Sequence, residues 1–217
     1  MAAKKLNFVI DPNLTLIDLS NKKINNEGAI AIAEALKENT KLTSIHLSFN
    51  QIGNKGASAI AQALEKNTTL TSIDLSYNQF NQKGGNAIAR ALKKNTTLTS
   101  INLNDNDIGK KGGIAIARAL ENNTTLTSID LSWNYIKNEG GIAIARVLEK
   151  NTTLTSINLS WNYVIDNAIL NSIEDKMEIR RHNAEQKRDC LYSRLLNYVF
   201  EMDDELIQNR KKRQCVK

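Results

Sequence analysis

Leu70-Thr71-Ser72-Ile73-Asp74-Leu75-Ser76-Tyr77-Asn78-Gln79-Phe80 returns 28 residues later as Leu98-Thr99-Ser100-Ile101-Asn102-Leu103-Asn104-Asp105-Asn106-Asp107-Ile108. The same frame opens at Leu14, Leu42, Leu126 and Leu154, so six units follow one another with no insertion or deletion. From Leu42 on, each unit starts Leu-Thr-Ser-Ile-x-Leu. Each has asparagine at its ninth place (Asn50, Asn78, Asn106, Asn134, Asn162) and an apolar residue at its eleventh. A fixed period of this length marks a stacked array of small units and outweighs local propensity.

Each part of the unit has a mechanical reading. The alternation of Ile73 and Leu75 inward with Asp74 and Ser76 outward predicts a short strand with one buried face. The ninth-place asparagine stands where the strand ends, and its amide both donates and accepts, so it can satisfy backbone groups that would otherwise be unpaired. The period then changes: Ala57, Ile60, Ala61 and Leu64 share one helix face. Gly84-Gly85, Gly112-Gly113 and Gly140-Gly141 are expected to precede these helices and to allow the helix to approach its strand closely. A polar run such as Asn151-Thr152-Thr153 ends the unit.

The frame L-x-x-L-x-L-x-x-N-x-L over residues 14–165 resembles that of leucine-rich repeat proteins, and the 28-residue length resembles their ribonuclease-inhibitor-like subclass. The resemblance implies an α/β solenoid, a horseshoe with a concave parallel sheet and convex helices. One unit cannot bury its own apolar face, so stability comes from stacking. Six strands at ~4.8 Å spacing would make a sheet roughly 24 Å across. The expected domains are an N-terminal cap over 1–13, six repeats over 14–165 and a helical C-terminal cap with a basic tail over 166–217. The end units depart from the frame, with Leu16 for serine and Lys22 for asparagine in the first. In the last, Ser172 and Lys176 stand at core places held elsewhere by isoleucine and leucine. Helical spacing predicts two closing helices, 166–183 and 185–210, the second with a stripe through Leu191, Leu195, Val199, Met202 and Leu206 that could also pair with another copy.

Composition narrows the function. Of 217 residues 41% are hydrophobic and 24% charged, as in a folded chain. No apolar run reaches the ~18 residues of a spanning helix, and the first residues lack a secretory pattern, so a cytoplasmic protein, bacterial or delivered into a host cell, is expected. Two cysteines, Cys190 and Cys215, build no disulfide framework. Bacterial ubiquitin ligases join such repeats to a cysteine-dependent domain, but too few residues follow here for one, and Cys190 reads as a structural thiol. Asn104-Asp105-Asn106-Asp107-Ile108-Gly109 lacks the glutamate a calcium loop needs, and no metal or other cofactor is expected. Asn67, Asn95, Asn123 and Asn151 match the glycosylation acceptor rule but read as copies of a helix-ending turn. His46 stands alone with no nucleophile, and no catalytic residue is assigned.

What remains is surface chemistry. Net charge is +6, yet the outward places of the strand region carry Asp18, Asp74, Asp105, Asp107 and Asp130 against Lys23 alone. Arg90, Lys93, Lys94, Lys110, Lys111, Arg118, Arg146 and Lys150 fall on the helical side, so the two faces differ in sign. Aromatic residues make up only 5%, and six of the eleven sit at the eighth and tenth places: Phe49, Tyr77, Trp133, Tyr135, Trp161 and Tyr163. Rigid rings beside carboxylates suit a protein-binding hot spot. Tyr77, Trp133, Tyr135, Trp161 and Tyr163 are the expected anchors, with Asp74, Asp105, Asp107 and Asp130 steering a basic partner. The reading is a non-enzymatic protein-interaction module, similar to the effector-like repeat proteins of intracellular bacteria. The alternative is a helical face and an Arg210-Lys211-Lys212-Arg213 tail that bind nucleic acid or anionic membrane.

Overall fold

The computed structural model describes residue 11, residues 13–162 and residues 166–186. Within each frame the third to fifth places form a three-residue strand, and a helix follows. The order is β1 (Leu16–Asp18), α1 (Asn26–Glu38), β2 (Ser44–His46), α2 (Asn54–Leu64), β3 (Ser72–Asp74) and α3 (Gln82–Lys94). It continues with β4 (Ser100–Asn102), α4 (Gly109–Leu120), β5 (Ser128–Asp130), α5 (Lys137–Val147) and β6 (Ser156–Asn158). The strands make one parallel sheet in sequence order. Its register is the sequence period: Ile45 lies opposite Ile73, Ile73 opposite Ile101 and Ile129 opposite Ile157. A one-residue slip would turn the isoleucine row outward, so the hydrophobic pattern alone locks the pairing.

The core lies between sheet and helices. Ile73 and Leu75 meet Ala87, Ile88, Ala91 and Leu92, all buried, and the other inner units repeat this arrangement. Small alanines on the inner helix face let the helix lie close to its strand. The glycine pairs do more than the sequence suggested. They lie inside the first helical turn rather than before it, and all are buried. A Cβ on Gly84 would stand 2.6 Å from Cβ of Phe80 in its own unit. A Cβ on Gly85 would stand 2.9 Å from Cγ2 of Ile108 in the next. The Gly84-Gly85 and Gly112-Gly113 pairs therefore make room for the eleventh-place side chains of two successive units.

Two ladders of asparagine fasten unit to unit. At the ninth place Asn134 is fully buried; its Nδ2 donates to the carbonyls of Leu103, Leu131 and Ser132 at 2.8, 3.2 and 2.9 Å. Its Oδ1 accepts from the Ile108 N–H at 3.4 Å. At the end of each helix a second set does similar work: Asn95 Nδ2 donates to the Leu64 carbonyl at 2.7 Å, and its Oδ1 accepts from the Leu98 N–H at 2.7 Å. Asn67, Asn123 and Asn151 repeat this geometry and are buried. The asparagines of the Asn-Thr-Thr copies are thus buried fastenings as well as parts of a turn.

Three further expectations are corrected. Ser76 does not face solvent; it is 3% exposed, as Ser48 and Ser132 also are nearly closed off. Seventh-place side chains are short and touch their copies one unit away, with Ser48 Oγ on Ser20 Oγ at 2.9 Å and Asn104 Nδ2 on Ser132 Oγ at 2.6 Å. Neighbours in that column therefore cover one another. The C-terminal helix runs without a break over 167–186, past the expected stop at 183, because His182-Asn183-Ala184 holds neither glycine nor proline. Its core register also moves by one residue. Ile173 and Met177 are buried where the frame pointed to Ser172 and Lys176, and Ile169 and Leu170 pack beside them. Compact packing separates residues 1–177 from residues 178–217. Residues 1–10 and 12 of the expected cap over 1–13, the Leu191–Leu206 stripe, Cys190 and the tail all lie outside the described residues.

Candidate partner-binding wall

The strands end at the fifth place, but the sheet bonding continues. Eighth-place N–H groups donate to the seventh-place carbonyl of the next unit: Phe49 to Ser76 at 3.1 Å, Tyr77 to Asn104 at 2.9 Å and Trp133 to Ser160 at 3.1 Å. To make that bond and still turn toward the ninth-place asparagine, the backbone takes the left-handed conformation. All six eighth-place residues have it: Asn21 (φ 55°), Phe49 (54°), Tyr77 (50°), Asp105 (49°), Trp133 (55°) and Trp161 (59°). Asparagine and aspartate tolerate this region, whereas bulky side chains rarely adopt it and lose roughly 1–2 kcal/mol there. Four of the six positions nevertheless carry rings.

These rings are not core. Phe49 is 56% exposed, Trp133 45% and Trp161 68%. Parallel strands bring successive copies together, and the rings stack in two pairs. Trp133 and Trp161 have centroids 5.0 Å apart at 17°. Phe49 and Tyr77 are 4.1 Å apart at 8°. Asp105, in the unit between, separates the pairs and is exposed. Tyr135 adds a further exposed ring at the tenth place, also left-handed (φ 54°), and Asp107 is exposed in the same register. Tyr163 lies outside the described residues. Phe49 joins the expected anchors, and the eighth place it shares with Tyr77, Trp133 and Trp161 is the sequence signal for it.

The fifth-place carboxylates divide their work. Asp74 Oδ1 accepts the Ser76 N–H at 2.8 Å, and Asp130 Oδ1 accepts from both N–H and Oγ of Ser132. Asn158 Nδ2 donates to the other Asp130 oxygen at 3.0 Å. Asn102 and Asn158 accept the equivalent N–H with a neutral amide, so the turn needs an oxygen and not a charge. At Asp18 the hydrogen bonds from the Ser20 side chain and N–H hold the carboxyl below its ordinary range. Asp74 and Asp130 are half-buried; Asp105 and Asp107 make no side-chain bond within the unit and face solvent. The face offers flat rings, carboxylates and a set of serines, and can bind by area and charge. Among the described residues no group of three or more His, Cys, Asp or Glu could hold a metal ion.

On the opposite face several of the helical-side cations are paired across units: Lys94 with Glu65 at 2.7 Å, Lys110 with Glu139 at 2.8 Å and Lys150 with Glu121 at 3.6 Å. Lys110 in turn lowers the Glu139 carboxyl from its usual range. No described helix is long and apolar enough to cross a membrane.

Tandem units in strict register, each from the second on with an asparagine at its ninth place bonded to backbone of two units, and helices behind one parallel sheet define a leucine-rich repeat solenoid. The chain belongs to the Leucine Rich repeat family, whose sequence profile matches residues 11–33, 38–61, 66–89, 94–117, 122–145 and 150–173. Among curated proteins no sequence match is found. Among solved structures, the Actin-Binding Site 2 of Leiomodin-1 is similar at 26% identity and a TM-score of 0.53, over 82% of this chain and 87% of that one. The tropomodulin C-terminal domain from Caenorhabditis elegans aligns at 13% identity and a TM-score of 0.52, over 82% and 90%. An internalin from Listeria monocytogenes aligns at 20% identity and a TM-score of 0.36, over 66% and 47%.

Proposed function

We propose that the chain is a non-catalytic module that docks a partner protein on the wall formed by Phe49, Tyr77, Trp133, Tyr135 and Trp161. One observation carries the reading: exposed rings occupy left-handed backbone positions that the same fold fills elsewhere with Asn21 and Asp105. Rings placed at a conformational cost and left half-open to water fit contact with another molecule better than the chain's own packing. Stacked indoles are rigid and lose little entropy on binding. Asp74, Asp105, Asp107 and Asp130 give the wall a negative field suited to a partner with basic groups, which speeds encounter more than it tightens the complex. An effector role in a host cell fits a compact binding module of this kind.

The likeness to a Leiomodin-1 actin-binding site makes actin the first named partner to try. Immobilised full-length chain would be offered purified actin and, separately, a cell lysate, beside a Trp133→Ala/Trp161→Ala variant. Capture by the wild type and its loss in the variant, with an unchanged melting curve, supports the wall as the docking site. Equal capture by both proteins would remove it.

A further inference from the structure

A second surface lies on the helical side, independent of the aromatic wall. Between α3 and α4 runs a groove of about 590 Å³. Arg90 and Lys93 of α3 and Lys111 and Arg118 of α4 line it, and no acidic residue does. Its apolar lining comes from Ala89, Ile114, Ala115 and Ala119. Among the described residues no ion pair neutralises these four cations, whereas Lys94, Lys110 and Lys150 nearby are each held by a glutamate. Arg90 and Arg118 occupy the same place in consecutive units, so adjacent helices present two guanidinium groups at one level of the groove.

We infer that this groove docks an extended acidic segment of a partner protein. The lining is mixed: cations provide charge-assisted donors in the fork geometry that carboxylates fit, and methyl groups accept the apolar parts of a peptide. From Gln82 to Lys93 the groove follows twelve helical residues, eleven steps or about 16 Å at 1.5 Å per step. An extended peptide covers that length with roughly five residues. The cations are spread along it, which matches a run of carboxylates better than a single anion. Nucleic acid is disfavoured by the same facts. The glutamate-paired lysines interrupt a continuous positive track, and no aromatic ring lines the groove for a base to stack on.

The probe is a fluorescein-labelled decapeptide of alternating glutamate and alanine, read by anisotropy against the full chain. A glutamine–alanine peptide and a labelled decathymidylate serve as comparisons. Arg90→Gln/Arg118→Gln should weaken the acidic peptide about a hundredfold, since each lost charged hydrogen bond is worth about tenfold. Lys55→Gln/Arg146→Gln removes the same charge outside the groove and should change affinity by no more than about twofold. The glutamine peptide should not bind. The inference is overturned if wild type leaves the acidic peptide unbound, if the two double variants lose equal affinity, or if decathymidylate binds more tightly than the peptide. Both pairs of substituted side chains are exposed, so the fold is preserved in all arms.

Discussion

The eighth and ninth places of the repeat are neighbours in the chain and opposites in their demands. At the ninth, every unit from the second on has asparagine, buried in all but Asn78, which is half-buried, and bonded to backbone groups of two units. At the eighth the backbone is equally uniform, left-handed in all six units, yet the side chains are Asn21, Phe49, Tyr77, Asp105, Trp133 and Trp161. The difference teaches where the repeat is constrained and where it is free. Orphaned carbonyls in the interior admit one side-chain chemistry. A turn facing water admits many, including some that the backbone disfavours, and this freedom is where a binding surface can be written.

The comparison breaks first at Asn134→Ala. Three carbonyls and an N–H lose their partner in a site closed to water, and unfolding by denaturant should show a loss of about 3 kcal/mol or more. A loss below about 1 kcal/mol would mean that the ladder is ornament. Gly113→Ala comes next, because the new Cβ would stand 2.8 Å from Cγ2 of Ile136. Overpacking of this kind costs about 1–3 kcal/mol, read as a lower melting temperature. Trp133→Asn with Trp161→Asn tests the other column. Stacking worth about 0.5–1.5 kcal/mol is lost while left-handed strain is relieved, so the melting temperature should stay nearly constant as partner capture disappears. A sharp fall in melting temperature would show the rings to be structural. Asp74→Asn should change stability by no more than about 0.5 kcal/mol, because an amide at Asn102 already makes the same bond. It should still flatten the salt dependence of partner binding. The smallest effect is with pH. Asp18 and Glu139 have folded-state values below their unfolded ones, so their small contribution is complete above the unfolded carboxylate range. It fades as pH falls through the folded values, and Asp18→Asn should blunt that slope in an acid melt.

Much of this was legible because the period converts sequence distance into spatial contact. The strand frame, the inward isoleucines, the ninth-place amide and the register of Trp133 over Trp161 all follow from 28-residue spacing. The remainder depended on quantities a one-dimensional pattern does not carry. Ser76 alternates outward as read, yet it is closed off from water in a column whose side chains touch their copies one unit away. Gly84 and Gly85 look like a loop before a helix, because glycine is a poor helix former; the Phe80 and Ile108 side chains that require them are in other parts of the frame. The left-handed turn was hidden by the residues that fill it, since tryptophan does not announce positive φ; Asn21 and Asp105 in the same register were the clue. The ion pairs across units were present in the spacing of Glu65 and Lys94 and needed only the period to be applied to the helical side.

The period also makes the molecule editable by whole cassettes. Removing residues 98–125 joins Thr97 to Leu126, the same Thr-Leu junction that the chain already has at Thr125, and leaves each interface with a complementary neighbour. Asp105 leaves with the excised cassette, and Tyr77 moves beside Trp133, fusing two short stacks into one uninterrupted row of Phe49, Tyr77, Trp133 and Trp161. A gene built from such copies can lengthen, shorten or reorder its recognition surface by unequal crossing-over, without inventing a new fold.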